Sequence, residues 1–286
     1  MTASGGGPQD AQAPVVLALV AARDEAERVA ATVAAIRALP GVAEVLVVSD
    51  GSTDATAARA LGAGAHCLDL PRNIGKGGAL NAGLAAMMGR VAERVSPEPV
   101  ALLLADGDLA DSAARLDRVL APVLAGDADL AIADLPPQRG AGGFGLAMGL
   151  ARQGMARVTG RRMSEPLSGQ RAVRWEVLPA LLPFAPGFGV EVAMTMDALR
   201  AGLRVVEVEA DLRHAATGKD LAGVLHRGRQ ARAVARELAR RRAWRAVAQS
   251  HPASPPGAPA SPPDGVEPGT APRPGAPASP PDPGDR

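Results

Sequence analysis

The chain has 286 residues, a net charge of +1 and 47 % apolar residues, so it can bury a sizeable core and carries no charge excess for a bulk polyanion partner. With three Phe, two Trp and no Tyr, it lacks the aromatics of a base-stacking nucleic-acid surface. The single cysteine, Cys67, excludes an internal disulfide and a multi-cysteine zinc site, and fits a reducing, cytoplasmic compartment.

Residues 1–14 are rich in Gly, Ala and Gln without periodicity and read as a flexible leader. The apolar run Ala13 to Ala22 is too short to span a bilayer and follows Asp10 rather than a basic stretch, which predicts neither a signal peptide nor a membrane span. Within it, Val15 to Ala21 suits a strand buried on both faces, and Asp24 to Ala38 follows with Val29, Val33 and Ile36 on a helical period. Val45 to Val48 is a second buried strand, and Asp50-Gly51-Ser52-Thr53-Asp54 supplies cap residues for a helix over Ala55 to Leu61. A strand at His66 to Leu70, a helix at Ala79 to Arg94, a strand at Val100 to Ala105, a helix at Leu116 to Leu124 and a strand at Asp129 to Ala133 continue the alternation. Val205 to Ala210 reads as one more strand. The last 36 residues hold half of the 26 prolines in an ASPP/GAP repeat, and 251–286 is expected to be a disordered tail on a single domain spanning 15–250.

Strands separated by helices imply an α/β chain with a mostly parallel sheet and helices on both faces. Ligands bind such sheets at the carboxyl ends of the strands, which directs attention to four loops. They carry Ala22 to Glu25, Ser49 to Ser52, Pro71 to Gly78 and Asp106-Gly107-Asp108. In the last, two carboxylates flank a small residue where a divalent cation and a diphosphate can meet, although Asp-Gly is also an ordinary turn filler. Asp50, Ser52 and Asp54 open like an EF-hand loop, but Ala55 and Leu61 stand where that loop needs Gly and Glu. Gly75-Lys76-Gly77-Gly78 lacks the spacing and hydroxyl of a phosphate-binding P-loop, yet presents a cation and bare amides. The chain has 29 Arg and only two Lys, Lys76 and Lys219, so a lysine between glycines points to a task that a guanidinium fork cannot do.

Gly140 to Gly145 matches a dinucleotide fingerprint in letters only, because Pro136 and Pro137 separate it from the preceding strand; a glycine-hinged loop closing on a substrate is the better reading. His214 follows the Val205 strand, while His66 and His226 read as ordinary surface or structural histidines. Lys219 to Arg245 carries nine cations against two acids with an apolar stripe of Leu221, Val224, Leu225, Val234 and Leu238. Its plain reading is a solvated helix face, and its sharper one is peripheral docking on an anionic membrane or a phosphorylated acceptor.

In order, Ala22-Arg23-Asp24-Glu25, Val47 to Asp54, Asn73 to Leu80 and Asp106-Gly107-Asp108-Leu109 resemble the nucleotide-sugar half of family 2 glycosyltransferases, which have the GT-A fold of nucleotide-diphospho-sugar transferases. Pro166 to Ala172 and Gly187 to Glu191 are similar to the acceptor half of the glucosyl-3-phosphoglycerate synthase group, with Gln170 where that group usually has an acid. The resemblance divides the domain into a nucleotide-sugar half, 15–110, and an acceptor half, 111–250, ending in the basic helix. It implies that Ala22, Glu25, Ser49 and Asp50 hold the nucleoside and that Lys76 reaches the base or the diphosphate. Asp106 would contact ribose or metal, and Asp108 and His214 would bind Mg²⁺ or Mn²⁺. Gly143, Ser168, Gly169 and Gln170 would face the acceptor, with Glu191 near the transferred sugar.

The implied reaction moves a hexose from a UDP- or GDP-sugar to an acceptor left open among phosphorylated small molecules, polyprenyl phosphates and glycans. Glu191 would be the base if configuration inverts and would orient the sugar if it is retained. Two other readings stand beside it. A sugar nucleotidyltransferase wants a Gly-rich loop after the first strand, where this chain has Ala21 to Glu25. A non-catalytic nucleotide-binding or membrane-surface scaffold would draw on the basic helix and the tail.

Overall fold

The computed structural model describes residues 14–92, 99–135, 144–213 and 232–241. The leader, the Pro-rich tail, Gly143 with the glycines before it, His214, Lys219 and His226 lie outside these residues. The elements are β1 (Val16–Ala22), α1 (Val29–Arg37), β2 (Val42–Asp50), α2 (Thr56–Gly62), β3 (His66–Leu70), α3 (Lys76–Ala92) and β4 (Ala101–Asp106). There follow α4 (Asp117–Leu124), β5 (Leu130–Asp134), α5 (Phe144–Thr159), β6 (Arg171–Arg174), α6 (Val190–Arg200), β7 (Val205–Glu209) and a helix at 232–241, here α7.

The seven strands form one sheet in the order β3-β2-β1-β4-β6-β5-β7. Only β6 runs antiparallel to its neighbours, β4 and β5. β1 sits against β2 and β4 and is apolar throughout, as a strand covered on both faces must be. Leu17 and Leu19 point to the face covered by α3, α5 and α6, and Val16, Ala18 and Val20 to the face covered by α1 and α4. A Cβ on Gly83 would strike the Leu19 and Val48 side chains, so this glycine lets α3 lie close to the sheet.

Three elements escape the sequence reading for local reasons. β6 is four residues bracketed by Arg171 and Arg174, too short and too polar at its ends to show a strand pattern. α6 starts directly behind Gly187-Phe188-Gly189 and carries Glu191, Thr195 and Asp197 among its apolar residues. α5 follows the glycine loop, and its own glycines interrupt the helical period. β2 also starts earlier, at Val42 rather than Val45, and two helix starts shift by several residues. α1 begins at Val29 rather than Asp24, because Asp24 has φ 55° and the N–H groups of Asp24, Glu25 and Ala26 donate to Ser52, Thr56 and Asp54 across the β2 loop. α3 begins at Lys76 rather than Ala79, so the glycine loop is its first turn.

The amino ends of β5 and β7 and the carboxyl end of β6 meet at buried Asp129, whose carboxylate pairs with Arg174 and, at 3.0 Å, with Arg204. On the α5/α6 side, Val234 and Leu238 of α7 are buried in the core and Arg241 pairs with Asp197 and Glu237. That part of the basic helix therefore spends its apolar stripe on the protein itself and not on a membrane. Among the described residues no helix is long and apolar enough to cross one.

At the carboxyl ends of β5 and β7, burial, then the nearby Glu207 and Glu209, hold the Asp134 carboxyl above its usual range while Arg152 pulls it back. A proton held more tightly in the folded than in the unfolded chain means that stability falls as pH rises through that range. Asp134→Asn is therefore expected to raise the thermal midpoint at pH 8 and leave it unchanged near pH 3, where the carboxyl is protonated in both states. An equal shift at both pH values would contradict this assignment.

Candidate functional site

The carboxyl ends of β1, β2 and β4 carry Ala22, Ser49, Asp50, Asp106 and Asp108 on neighbouring loops. Register pairs Ala22 with Ser49 and Ala21 with Asp106, so the three loops leave the sheet side by side. The Asp106-Gly107-Asp108 turn is pinned from beneath by Thr32 of α1, a buried residue. Its hydroxyl donates to the Gly107 carbonyl at 2.9 Å and accepts from the Ala110 N–H at 2.8 Å. Gly107 itself donates to the Ala21 carbonyl, and a Cβ there would fall 2.7 Å from the Ala22 Cβ. Only glycine fits between the two carboxylates.

Asp50 lies at the end of β2, and its carboxylate accepts from Asn73 Nδ2, from the Ile74 N–H at 2.7 Å and from the Gly75 N–H at 3.0 Å. These bonds seat the loop that delivers Lys76 to the head of α3, so Asp50 builds the site from behind. Ser49 is fully buried and donates to Ser52 Oγ. Ala22, nearly buried, and Glu25 form the wall after β1, where Arg28 clamps Glu25 at 2.9 Å. Burial pushes the Glu25 carboxyl up, Arg28 draws it down, and the fields of Asp108 and Asp106 push it up further. Glu25 thus lies within electrostatic range of both turn aspartates.

Lys76 is the hub. Its Nζ stands 2.5 Å from Asp106 Oδ1 and 2.9 Å from Glu191 Oε1, joining the end of β4 to the start of α6. Burial alone would lower an ammonium, but the two carboxylates outweigh it and hold Lys76 above its ordinary value. It stays charged throughout the neutral range. Two close approaches make room for it. A Cβ on Gly77 would land on the Ala185 carbonyl oxygen, and one on Gly169 would collide with Lys76 Nζ. Asn81 then ties α3 to the Ala185 segment, donating to the Phe184 carbonyl and accepting its N–H, both at 2.9 Å.

Of the residues expected to face the acceptor, Gly143 lies outside the described residues and the other three are buried. Ser168 is buried, Gly169 packs on Lys76 and Asp106, and Gln170 is fully buried with its carboxamide on Asp106. They form the floor under the Asp106–Lys76 pair, because the chain must turn there into the antiparallel strand β6. Beneath them Arg171 donates to the Ser168 and Pro166 carbonyls and to Thr195 Oγ1. Burial pushes its guanidinium down to about 10, with the fields of Glu191, Glu207 and Asp106 working against that fall.

Outside the Asp108 turn a cleft of about 540 Å³ opens, lined by Arg28, Asp108, Asp111, Ser112, Arg115 and Arg213. A second pocket of about 260 Å³, by Arg37, Glu44 and His66, lies at the amino ends of β2 and β3, away from this chemistry. There His66 pairs with Arg90, which in turn binds Glu44. Among the described residues no three His, Cys, Asp or Glu side chains stand together as a metal site. His214, the third ligand that the resemblance implies, lies outside them.

The family model of glycosyl transferase family 2 matches residues 18–162, half of the chain, running from within β1 to the end of α5 and including the aspartate turn and Lys76. The chain belongs to glycosyl transferase family 2. This family 2 glycosyltransferase is 29 % identical over 187 residues to the glucosyl-3-phosphoglycerate synthase of Mycolicibacterium paratuberculosis, covering 58 % of this chain and 54 % of that one. With the enzyme of Mycolicibacterium smegmatis the identity is 29 % over 202 residues, covering 64 % of this chain and 63 % of that one. The matched region thus spans little more than half the length of these relatives. Among solved structures, glucosyl-3-phosphoglycerate synthase from Mycobacterium tuberculosis with Mn²⁺, UDP-glucose and phosphoglyceric acid aligns at a TM-score of 0.64 and 26 % identity, over 80 % of each chain. The same enzyme with phosphoglyceric acid alone aligns at 0.65 and 28 %, again over 80 % of each chain. The sheet of this family 2 chain is the GT-A fold of those structures.

Proposed function

We propose that the chain transfers a hexose from a UDP-sugar to a phosphorylated small-molecule acceptor with the help of Mn²⁺ or Mg²⁺. The observation that carries this reading is Lys76, a largely buried ammonium fixed between Asp106 and Glu191 at the carboxyl edge of the sheet. Support for UDP and for a phosphorylated acceptor comes from the aligned synthase, solved with UDP-glucose together with phosphoglyceric acid or glycerol 3-phosphate. Within this chain, Arg28, Arg115 and Arg213 bring cations to the cleft beside Asp108, as anionic groups require.

Hard carboxylate oxygens, with an imidazole from His214, suit Mn²⁺ or Mg²⁺. Asp106 already has one oxygen on Lys76 and the other on Gln170, so the ion falls chiefly to Asp108 and His214. When bound, the ion supplies neutralisation of the charge that develops on the leaving diphosphate. Lys76 adds a preorganised positive charge on the same side, held in place before the reaction begins. Glu191 gives one oxygen to Lys76 and offers the other to a sugar hydroxyl, which orients the hexose. Thr32, Asp50 and Asn81 hold the aspartate turn, the glycine loop and the Phe184 segment so that these groups need not rearrange.

Calorimetry with UDP and GDP, each with and without Mn²⁺, tests the donor side. Binding of UDP that is at least about tenfold tighter than that of GDP and is lost with EDTA is expected, a gap of about 1.4 kcal/mol. Equal affinity for both, or affinity indifferent to EDTA, would set the reading aside.

A further inference from the structure

Gln170 has no part in the chemistry above, yet it is fully buried at the centre of the site. Its Nε2 donates to Asp106 Oδ2 at 2.8 Å, and its Oε1 accepts the Asp106 N–H at 2.9 Å. One side chain thereby grips both the carboxylate and the main chain of a single residue. The two bonds fix the orientation of the amide, since only its nitrogen can donate and only its oxygen can accept. With Oδ2 held, Oδ1 is turned to Lys76. The backbone is held equally firmly: the Gln170 carbonyl accepts the Ala133 N–H at 3.0 Å, and β6 begins at the next residue.

The geometry points to Gln170 as a positioning residue of the transfer site, one that locks the Asp106 carboxylate in a single rotation and through it places the Lys76 ammonium. A neutral amide is the group that can do this. A carboxylate of the same shape would keep the bond to the Asp106 N–H but set two acidic oxygens against each other. It would also add a third negative charge around one ammonium already shared by Asp106 and Glu191. An apolar side chain of similar volume would leave the Asp106 N–H and Oδ2 without these partners. The consequence for function rests on the reading of Lys76 as a helper of the leaving diphosphate, whereas the placement of Lys76 does not.

The chain has only two lysines, Lys76 and Lys219, so a ¹⁵N-lysine-labelled full chain gives two side-chain signals to tell apart, with Lys76→Met as the assignment control. In Gln170→Met the Lys76 ammonium signal is expected to shift or broaden away. With UDP-glucose and Mn²⁺, kcat is expected to fall about 100-fold while KM for the donor changes less than about threefold, the size of loss that a misplacement near 1 Å produces. Gln170→Glu, which keeps the shape and the bond to the Asp106 N–H, provides a second folded variant and is expected to displace the same signal. An unmoved Lys76 signal together with unchanged kcat in either folded variant would overturn the proposal, as would a fall in thermal midpoint alone. A wild-type chain that does not turn over UDP-glucose, with the Lys76 signal still displaced in the variants, would strike the donor reading and leave the positioning role standing.

Discussion

Asp108→Ala is expected to remove the Mn²⁺-dependent part of UDP affinity, a loss of at least about 100-fold, while the thermal midpoint stays within about 2 °C of wild type. The two halves of this expectation have separate causes. Asp108 borders an open cleft and is partly exposed, so its side chain contributes little to the core. The turn it stands on is held by other groups, namely the Thr32 hydroxyl, the Gly107 N–H on Ala21 and the buried Leu109. Truncation therefore deletes a hard oxygen donor and leaves the loop where it was. Calorimetry with UDP and Mn²⁺ against UDP alone measures the loss, and an unchanged Mn²⁺-dependent affinity would show that the ion is held elsewhere.

Lys76→Met is expected to lower kcat/KM for the UDP-sugar by about 100- to 1,000-fold, the range seen when one preorganised donor to a developing negative charge is deleted. It is also expected to destabilise the fold by about 2–4 kcal/mol, because Asp106 and Glu191 would face each other across the vacated position without their shared cation. Methionine keeps the length of the chain and so isolates the charge. Lys76→Arg is not expected to rescue activity. Gly169 packs directly against Nζ on one side, and a planar fork needs more room there than a compact ammonium. Urea midpoints and steady-state kinetics on both variants separate the two effects. Wild-type kcat/KM in Lys76→Met would remove Lys76 from the mechanism.

How much of this was legible in the sequence depended on the range of the interaction. β1, β4 and the Val45–Val48 middle of β2 were readable because strand segments covered on both faces must be apolar without a break. The loops at their ends were then located by topology alone, and Asp106 and Lys76 do pair there. Long-range polar contacts left no local trace. Thr32 is an unremarked threonine inside a helix until its hydroxyl is found on Gly107, 75 positions away. Asn81 reaches Phe184 across 103 positions.

Gln170 shows how a motif can be recognised while its partners stay hidden. The Ser168-Gly169-Gln170 turn was visible as a feature, but nothing in its letters says that the antiparallel strand β6 folds it under Asp106. In the basic helix, of which 232–241 are described, packing adds what composition could not give. Its charge pattern is periodic and conspicuous, yet Val234 and Leu238 are consumed by the core and Arg241 by Asp197 and Glu237. Composition reports charge, and only packing reports what the charge faces.

The most direct test of the account is UDP release from UDP-glucose by the full chain, with Mn²⁺ or EDTA, in the presence and absence of 3-phosphoglycerate and glycerol 3-phosphate. Release that requires Mn²⁺ and rises at least about tenfold with a phosphorylated acceptor, a coupling worth about 1.4 kcal/mol, is the expected result. Release unaffected by EDTA, or the same with and without every phosphorylated acceptor, would contradict a metal-dependent transfer to such an acceptor.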